Sequence, residues 1–181
     1  RCPIHRIDHH YAHTLSFWPM KVKPNLHFVF DGFGDDWMYR SVWRDDKLID
    51  YGKTPSNVPI MEVGSPSLGF IMTRMGAALQ LGGHYLDQAG KIMALKAFGK
   101  HNADVNKEGI DIDSLDKMWD FMVIDQHLND QQYIMDYIHT AHEYTEEIYL
   151  KHFQKFIEPD DIVGYSGGVA QNTIINKVLK D

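Results

Sequence analysis

The chain is short of cysteine, of basic residues and of long apolar runs. Cys2 is the lone cysteine in 181 residues. This excludes an internal disulfide and fits a reducing compartment. Eighteen Lys and Arg face twenty-five Asp and Glu, for a net charge of −7. No Lys/Arg run offsets that balance, so a nucleic acid or an anionic membrane is not the expected partner. No stretch approaches the ~18 apolar residues that a membrane span needs. The opening Arg1-Cys2-Pro3-Ile4-His5 has neither an initiator Met nor a signal-peptide pattern. A cytoplasmic location is expected. With 44% hydrophobic residues, the chain can bury a core of single-domain size.

Periodicity predicts an α/β order. Ile7 to Phe17 has no Gly or Pro and reads as a helix, closed by Pro19 and Pro24. Leu26 to Phe30 reads as a buried strand, Trp37 to Trp43 as a second and Lys47 to Gly52 as a third. From Ser67 the period turns helical, with Leu68, Ile71, Met72 and Met75 on one face. Gly82-Gly83 interrupts it. Lys91 to Phe98 reads as another helix, with Gly99 as its C-cap. Residues 101–114 read as a polar surface loop. Gln131 to Phe156 reads as a long helix burying Ile134, Tyr137, Ile138, Ala141, Thr145, Ile148 and Phe153. Pro159-Asp160-Asp161 breaks it, Ile162 to Ser166 is a short strand, and Val169 to Lys180 is helical. Three strands, helices, a strand, a glycine turn and a helix imply a layered α/β fold.

Four constellations bear on chemistry. His9 and His13 sit one helical turn apart, so both imidazoles can reach one metal ion, while His10 points elsewhere. Eleven histidines also yield such a pair by chance, and His5 and His9 share the spacing. In Asp31-Gly32-Phe33-Gly34, a carboxylate at the mouth of a buried strand precedes two glycines. It can hold a cation while the backbone approaches a phosphate, or it is a hairpin whose glycines permit positive φ. Ser166 to Asn172 is a glycine turn between strand and helix, suited to a nucleotide's anionic oxygens or to plain chain reversal. Lys91 falls at a predicted helix start, where it either meets an anion or is a solvated lysine.

Together these segments resemble the O-carbamoyltransferases that decorate nodulation factors and antibiotics. The family motifs are an HHxAH helix, a VxDGxG turn, SLG, GKxMGLAxYG and GGVAxN. They stand here, in that order, as His9-His10-Tyr11-Ala12-His13, Val29 to Gly34, Ser67-Leu68-Gly69, Gly90 to Gly99 and Gly167 to Asn172. Thr145-Glu146-Glu147 also looks familial. The chain departs from the pattern at Ala94, Lys96 and Phe98, where the family has Gly, Ala and Tyr. Each motif is short; the ordered series carries the resemblance, which spans nearly the whole chain.

The resemblance implies a partial ribonuclease H-like lobe of the actin, sugar-kinase and heat-shock chaperone superfamily. Residues 1–20 would be a metal-binding helix at a lobe junction. Residues 25–181 would be the second lobe, with a helical insertion and without its C-terminal end. His9, His13 and Asp31 would hold a divalent metal, iron or zinc. Gly167, Gly168 and Asn172 would line the adenine and ribose side of an ATP site, while Gly32, Gly34 and Lys91 face its phosphates, with magnesium accompanying the nucleotide. Carbamoyl phosphate and a small-molecule hydroxyl acceptor would be the reactants, and carbamoyl-adenylate the intermediate. The resemblance assigns no general base. A first lobe, a later Asp ligand and a C-terminal domain would lie outside the chain, leaving the piece inactive alone and open to homodimerisation. A relative of the tRNA threonylcarbamoyl transferase and a non-catalytic ATP-binding module are the alternatives.

Overall fold

The computed structural model describes residues 4–54, 67–84, 87–103 and 126–180. Its element order is mixed α/β, built on a four-stranded sheet of order β3-β2-β1-β4. Strand β1 is Leu26–Phe30, β2 is Met38–Arg44, β3 is Lys47–Lys53 and β4 is Val163–Ser166. The first three pair antiparallel, whereas β4 runs parallel to β1. All five residues of β1 are buried, as expected for a strand with neighbours on both edges and helices on both faces.

Alternation along β1 sorts the two faces. Phe28 and Phe30 point to one side, where the long helix α4, Gln131–Gln154, covers them. Phe153 stacks on Phe28 at 3.8 Å and Tyr149 lies 4.8 Å from Phe30. All seven residues of α4 expected to be buried are buried. Asp130 caps the helix by accepting the Tyr133 amide. His27 and Val29 point to the other side, toward the short helix α1, His9–Leu15. There Tyr11 packs on Trp43 and Phe17 on His27. Helix α1 starts two residues later than expected because the Asp8 carboxylate accepts the Tyr11 amide and acts as its cap.

Helices α2, Leu68–Ala78, and α3, Gln88–Leu95, follow β3 in the chain and pack against one another, with α3 also touching α4. Helix α3 begins three residues ahead of the predicted Lys91 and continues as a 3₁₀ turn over Lys96–Phe98. Gly99 does not cap it in a left-handed conformation, since its φ is −97°. A Cβ there would instead lie 2.0 Å from the Met135 carbonyl oxygen, so close approach to α4 demands the glycine. Past Ala103, the predicted polar loop lies outside the described residues. A bidentate ion pair, Arg44 Nη1 to Asp161 Oδ1 at 2.8 Å and Nη2 to Oδ2 at 3.0 Å, ties the approach to β4 onto the end of β2. The hydrogen bonds from Arg44 hold the Asp161 carboxyl down to about 2. Helix α5 is Thr173–Lys180, shorter than expected because Gly168–Gln171 forms a 3₁₀ turn first. Among the described residues, no helix is long and apolar enough to cross a membrane.

Candidate metal centre

Beyond Phe30, the alternation of β1 turns Asp31 toward the face that α1 covers, the face of His27 and Val29. Two residues one turn apart on α1 meet it there. Nε2 of His9 and Nε2 of His13 each lie 2.9 Å from the same oxygen, Asp31 Oδ2. The rings of His9 and His13 stand 4.9 Å apart. One ligand atom from each of His9, His13 and Asp31 falls within 4.8 Å of the others. Residues 22 positions apart in the chain thus form one cluster.

The second carboxylate oxygen faces backbone. Asp31 Oδ1 accepts the Gly32 amide at 2.7 Å and the Gly168 amide at 3.4 Å. Burial alone would raise the Asp31 carboxyl, but hydrogen bonds from His9, the Gly32 amide and His13 outweigh it and hold the group below its ordinary value. The anion is therefore the stable form.

Asp31 and the glycine turn meet because β4 runs parallel to β1. Val29 pairs with Ser166, which carries the register forward to set Gly167 beside Phe30 and Gly168 beside Asp31. Gly167 has φ +95°, and a Cβ on it would lie 2.2 Å from the Phe30 carbonyl oxygen. A Cβ on Gly168 would come within 2.9 Å of Asp31 Oδ1. Among the described residues, no atom lies within 4 Å of the Cβ position of Gly32. His9, His13, Asp31, Gly32, Gly167 and Gly168 therefore share one end of the sheet.

The other predicted residues also make contacts within the chain. Gly34 does not adopt positive φ; in this connection Asp36 and Trp37 do, at 54° and 61°. Gly34 instead faces His10. Lys91 lies three residues into α3 rather than at its start, and its partly exposed side chain donates from the ammonium to the carbonyls of Leu81 and Gly82. Asn172 is buried, and its Oδ1 caps α5 by accepting the amides of Ile174 and Ile175 at 3.1 and 3.2 Å.

Sequence reasoning passed over three supporting residues. Ser67, also buried, donates its hydroxyl to the Asp31 carbonyl at 2.7 Å. Asp35 accepts the His9 amide at 3.0 Å and Arg6 at 3.3 Å. The His9 amide, chiefly, holds its carboxyl below the ordinary value. His10 is fully buried, and burial pushes its imidazole below the usual range. The SLG motif was a signal for Ser67. The rest required knowing which turn faces α1.

No protein-family model and no curated protein matches the chain. The donor set must therefore be judged on its own chemistry. Two imidazoles and one carboxylate are the ligand set of open iron(II) and zinc sites. A cation about 2.1 Å from each donor requires donor separations of roughly 3.3 Å. The two His–Asp separations of 2.9 Å need to open by a few tenths of an ångström. The two imidazole nitrogens, the widest pair of a cluster spanning 4.8 Å, must draw together by about an ångström or more, a movement within reach of side-chain rotation. Without a cation, both rings must place N–H on a single oxygen; with one, both present lone pairs. The residue types suit a divalent ion with coordination positions left open, the rings moving to meet it.

Proposed function

We propose that the chain is the metal- and ATP-binding lobe of a carbamoyltransferase, acting in the cytoplasm on an acceptor hydroxyl. The observation that carries the reading is the convergence of His9, His13 and Asp31 beside the Gly167-Gly168 turn. The sheet order β3-β2-β1-β4, an antiparallel meander joined to a parallel strand through helices, supports a ribonuclease H-like lobe of the actin and sugar-kinase superfamily. The ordered motif series supports the O-carbamoyltransferase assignment within it.

In this reading His9, His13 and Asp31 hold an iron or zinc ion, which supplies Lewis-acid polarisation of a phosphoryl or carbamoyl oxygen. Asp31 stays ionised because three hydrogen bonds favour the anion. With no described atom within 4 Å of its Cβ position, Gly32 admits an anionic group close to the backbone. The Gly167-Gly168 turn lies on the nucleotide side. Water first cleaves carbamoyl phosphate to carbamate and phosphate; a carbamate oxygen then bonds the α-phosphorus of ATP and pyrophosphate leaves, giving carbamoyl-adenylate. An acceptor hydroxyl then bonds the carbamoyl carbon, its proton is lost and AMP leaves.

Zinc and iron(II) titration by chelator competition tests the centre. The wild-type chain is expected to bind one ion, and His9→Ala/His13→Ala to lose at least a hundredfold in affinity; full retention in the double variant defeats the ligand assignment. On the full-length gene product, pyrophosphate release from ATP should require carbamoyl phosphate.

A further inference from the structure

The bonds on the His10 ring define its tautomer. The Met38 carbonyl can only accept, so His10 Nε2 carries the hydrogen and donates to it across 3.0 Å. In the neutral ring Nδ1 is then an acceptor, filled by the Ser41 hydroxyl at 2.8 Å. Ser41 Oγ in turn accepts the Trp43 indole N–H at 2.8 Å. Both ring nitrogens are thus pinned to β2, at residues three apart.

The same carbonyl of Met38 also accepts the Gly34 amide, at 2.6 Å. This brings Gly34 against the ring: a Cβ there would lie 2.4 Å from His10 Cδ2 and 2.7 Å from Nε2, with the Met38 carbonyl oxygen a looser neighbour at 3.0 Å. An exposed side chain could swing away from such a contact. His10 cannot, being fully buried and held at both ends. The ring therefore occupies the place where a residue 34 side chain would stand.

Helix α1 has only seven residues, too few to hold itself or its rotation without tertiary anchors. His10 lies about 100° around the helix from His9. Fixing His10 against β2 aims His9 and His13 at Asp31. We propose that His10 and Gly34 form a positioning pair that sets the approach of His9 and His13 to Asp31, and that Gly34 is glycine for His10 rather than for a phosphate. This rests on the metal reading above.

The test is a double-mutant cycle read by zinc affinity and by the visible spectrum of the cobalt(II)-loaded protein. His10→Ala and Gly34→Ala should each weaken zinc binding about 10- to 100-fold. In the His10→Ala background, Gly34→Ala should cost less than about threefold, because the ring it would strike is gone. His10→Gln, which keeps a donor for the Met38 carbonyl, should recover part of the loss. Wild-type zinc affinity in both single variants, or strictly additive losses, overturns the proposal. A wild-type protein that binds zinc no better than His9→Ala/His13→Ala overturns the metal reading, and this one with it. Should Gly34→Ala fail to fold, Ser41→Ala carries the test through loss of the donor to Nδ1. A cobalt spectrum and zinc affinity unchanged from wild type would then refute the pairing.

Discussion

Replacing Gly167 by alanine puts a methyl group where the end of β1 already stands. The residue has φ +95°, which costs an L-residue about 1–2 kcal/mol. The new Cβ would lie 2.2 Å from the Phe30 carbonyl oxygen and 2.7 Å from its carbon. Both atoms belong to the backbone of a buried strand and cannot move alone, so overpacking adds about 1–3 kcal/mol. The sum, about 2–5 kcal/mol, is a large share of the ~5–15 kcal/mol that stabilises an ordinary protein. Urea unfolding should show a lower midpoint with an unchanged slope, and thermal unfolding a Tm lower by roughly 10 °C. Gly32→Ala is the control. With nothing among the described residues within 4 Å of its Cβ, it should shift stability by no more than about 0.5 kcal/mol, yet weaken ATP binding if phosphate passes over it. A Gly167→Ala midpoint equal to wild type, or Gly32→Ala unfolding as readily, refutes the reasoning.

Two other outcomes follow from buried groups. Burial, chiefly, holds His142 and His152 down to about 4, against 6.5 in the unfolded chain. The unfolded state therefore takes up protons first: stability is full above about pH 6.5 and falls as pH drops toward 4. Between pH 7 and 5 each histidine should account for about 2 kcal/mol, and urea midpoints in His142→Gln/His152→Gln should lose most of that slope. Ser67→Ala removes the hydroxyl bonded to the Asp31 carbonyl. It should cost about 1–2 kcal/mol in urea unfolding and weaken zinc binding less than His9→Ala, by chelator competition.

Much of the fold was legible because local patterns and the final packing agree. Leu26–Phe30 reads as a buried strand from its short apolar, aromatic run and has those bounds. The apolar positions of α4 were placed by helical period, and all seven are buried. The errors fall at element ends, where a single side-chain bond decides. Asp8 delays α1, Asn172 delays α5, and α3 starts at Gln88 without waiting for Lys91. Trp37 was assigned to a strand, but it closes a 3₁₀ turn with φ 61°.

Within the site, chemistry was readable from spacing and position. Helical period alone brings His9 and His13 to one face, and the end of an apolar strand alone places a carboxylate, Asp31, at that strand's mouth. The duty of each glycine, and of His10, was not readable, because a glycine is defined by what occupies the missing side chain's place. Gly34 answers to a ring 24 residues earlier and Gly99 to a carbonyl of α4. Gly167 answers to the Phe30 carbonyl through the parallel pairing of β1 with β4. Residue types and periods determined which groups could do chemistry. Only the pairing of strands and the rotation of α1 decided which of them meet, since those contacts join segments whose separation in the chain carries no local signal.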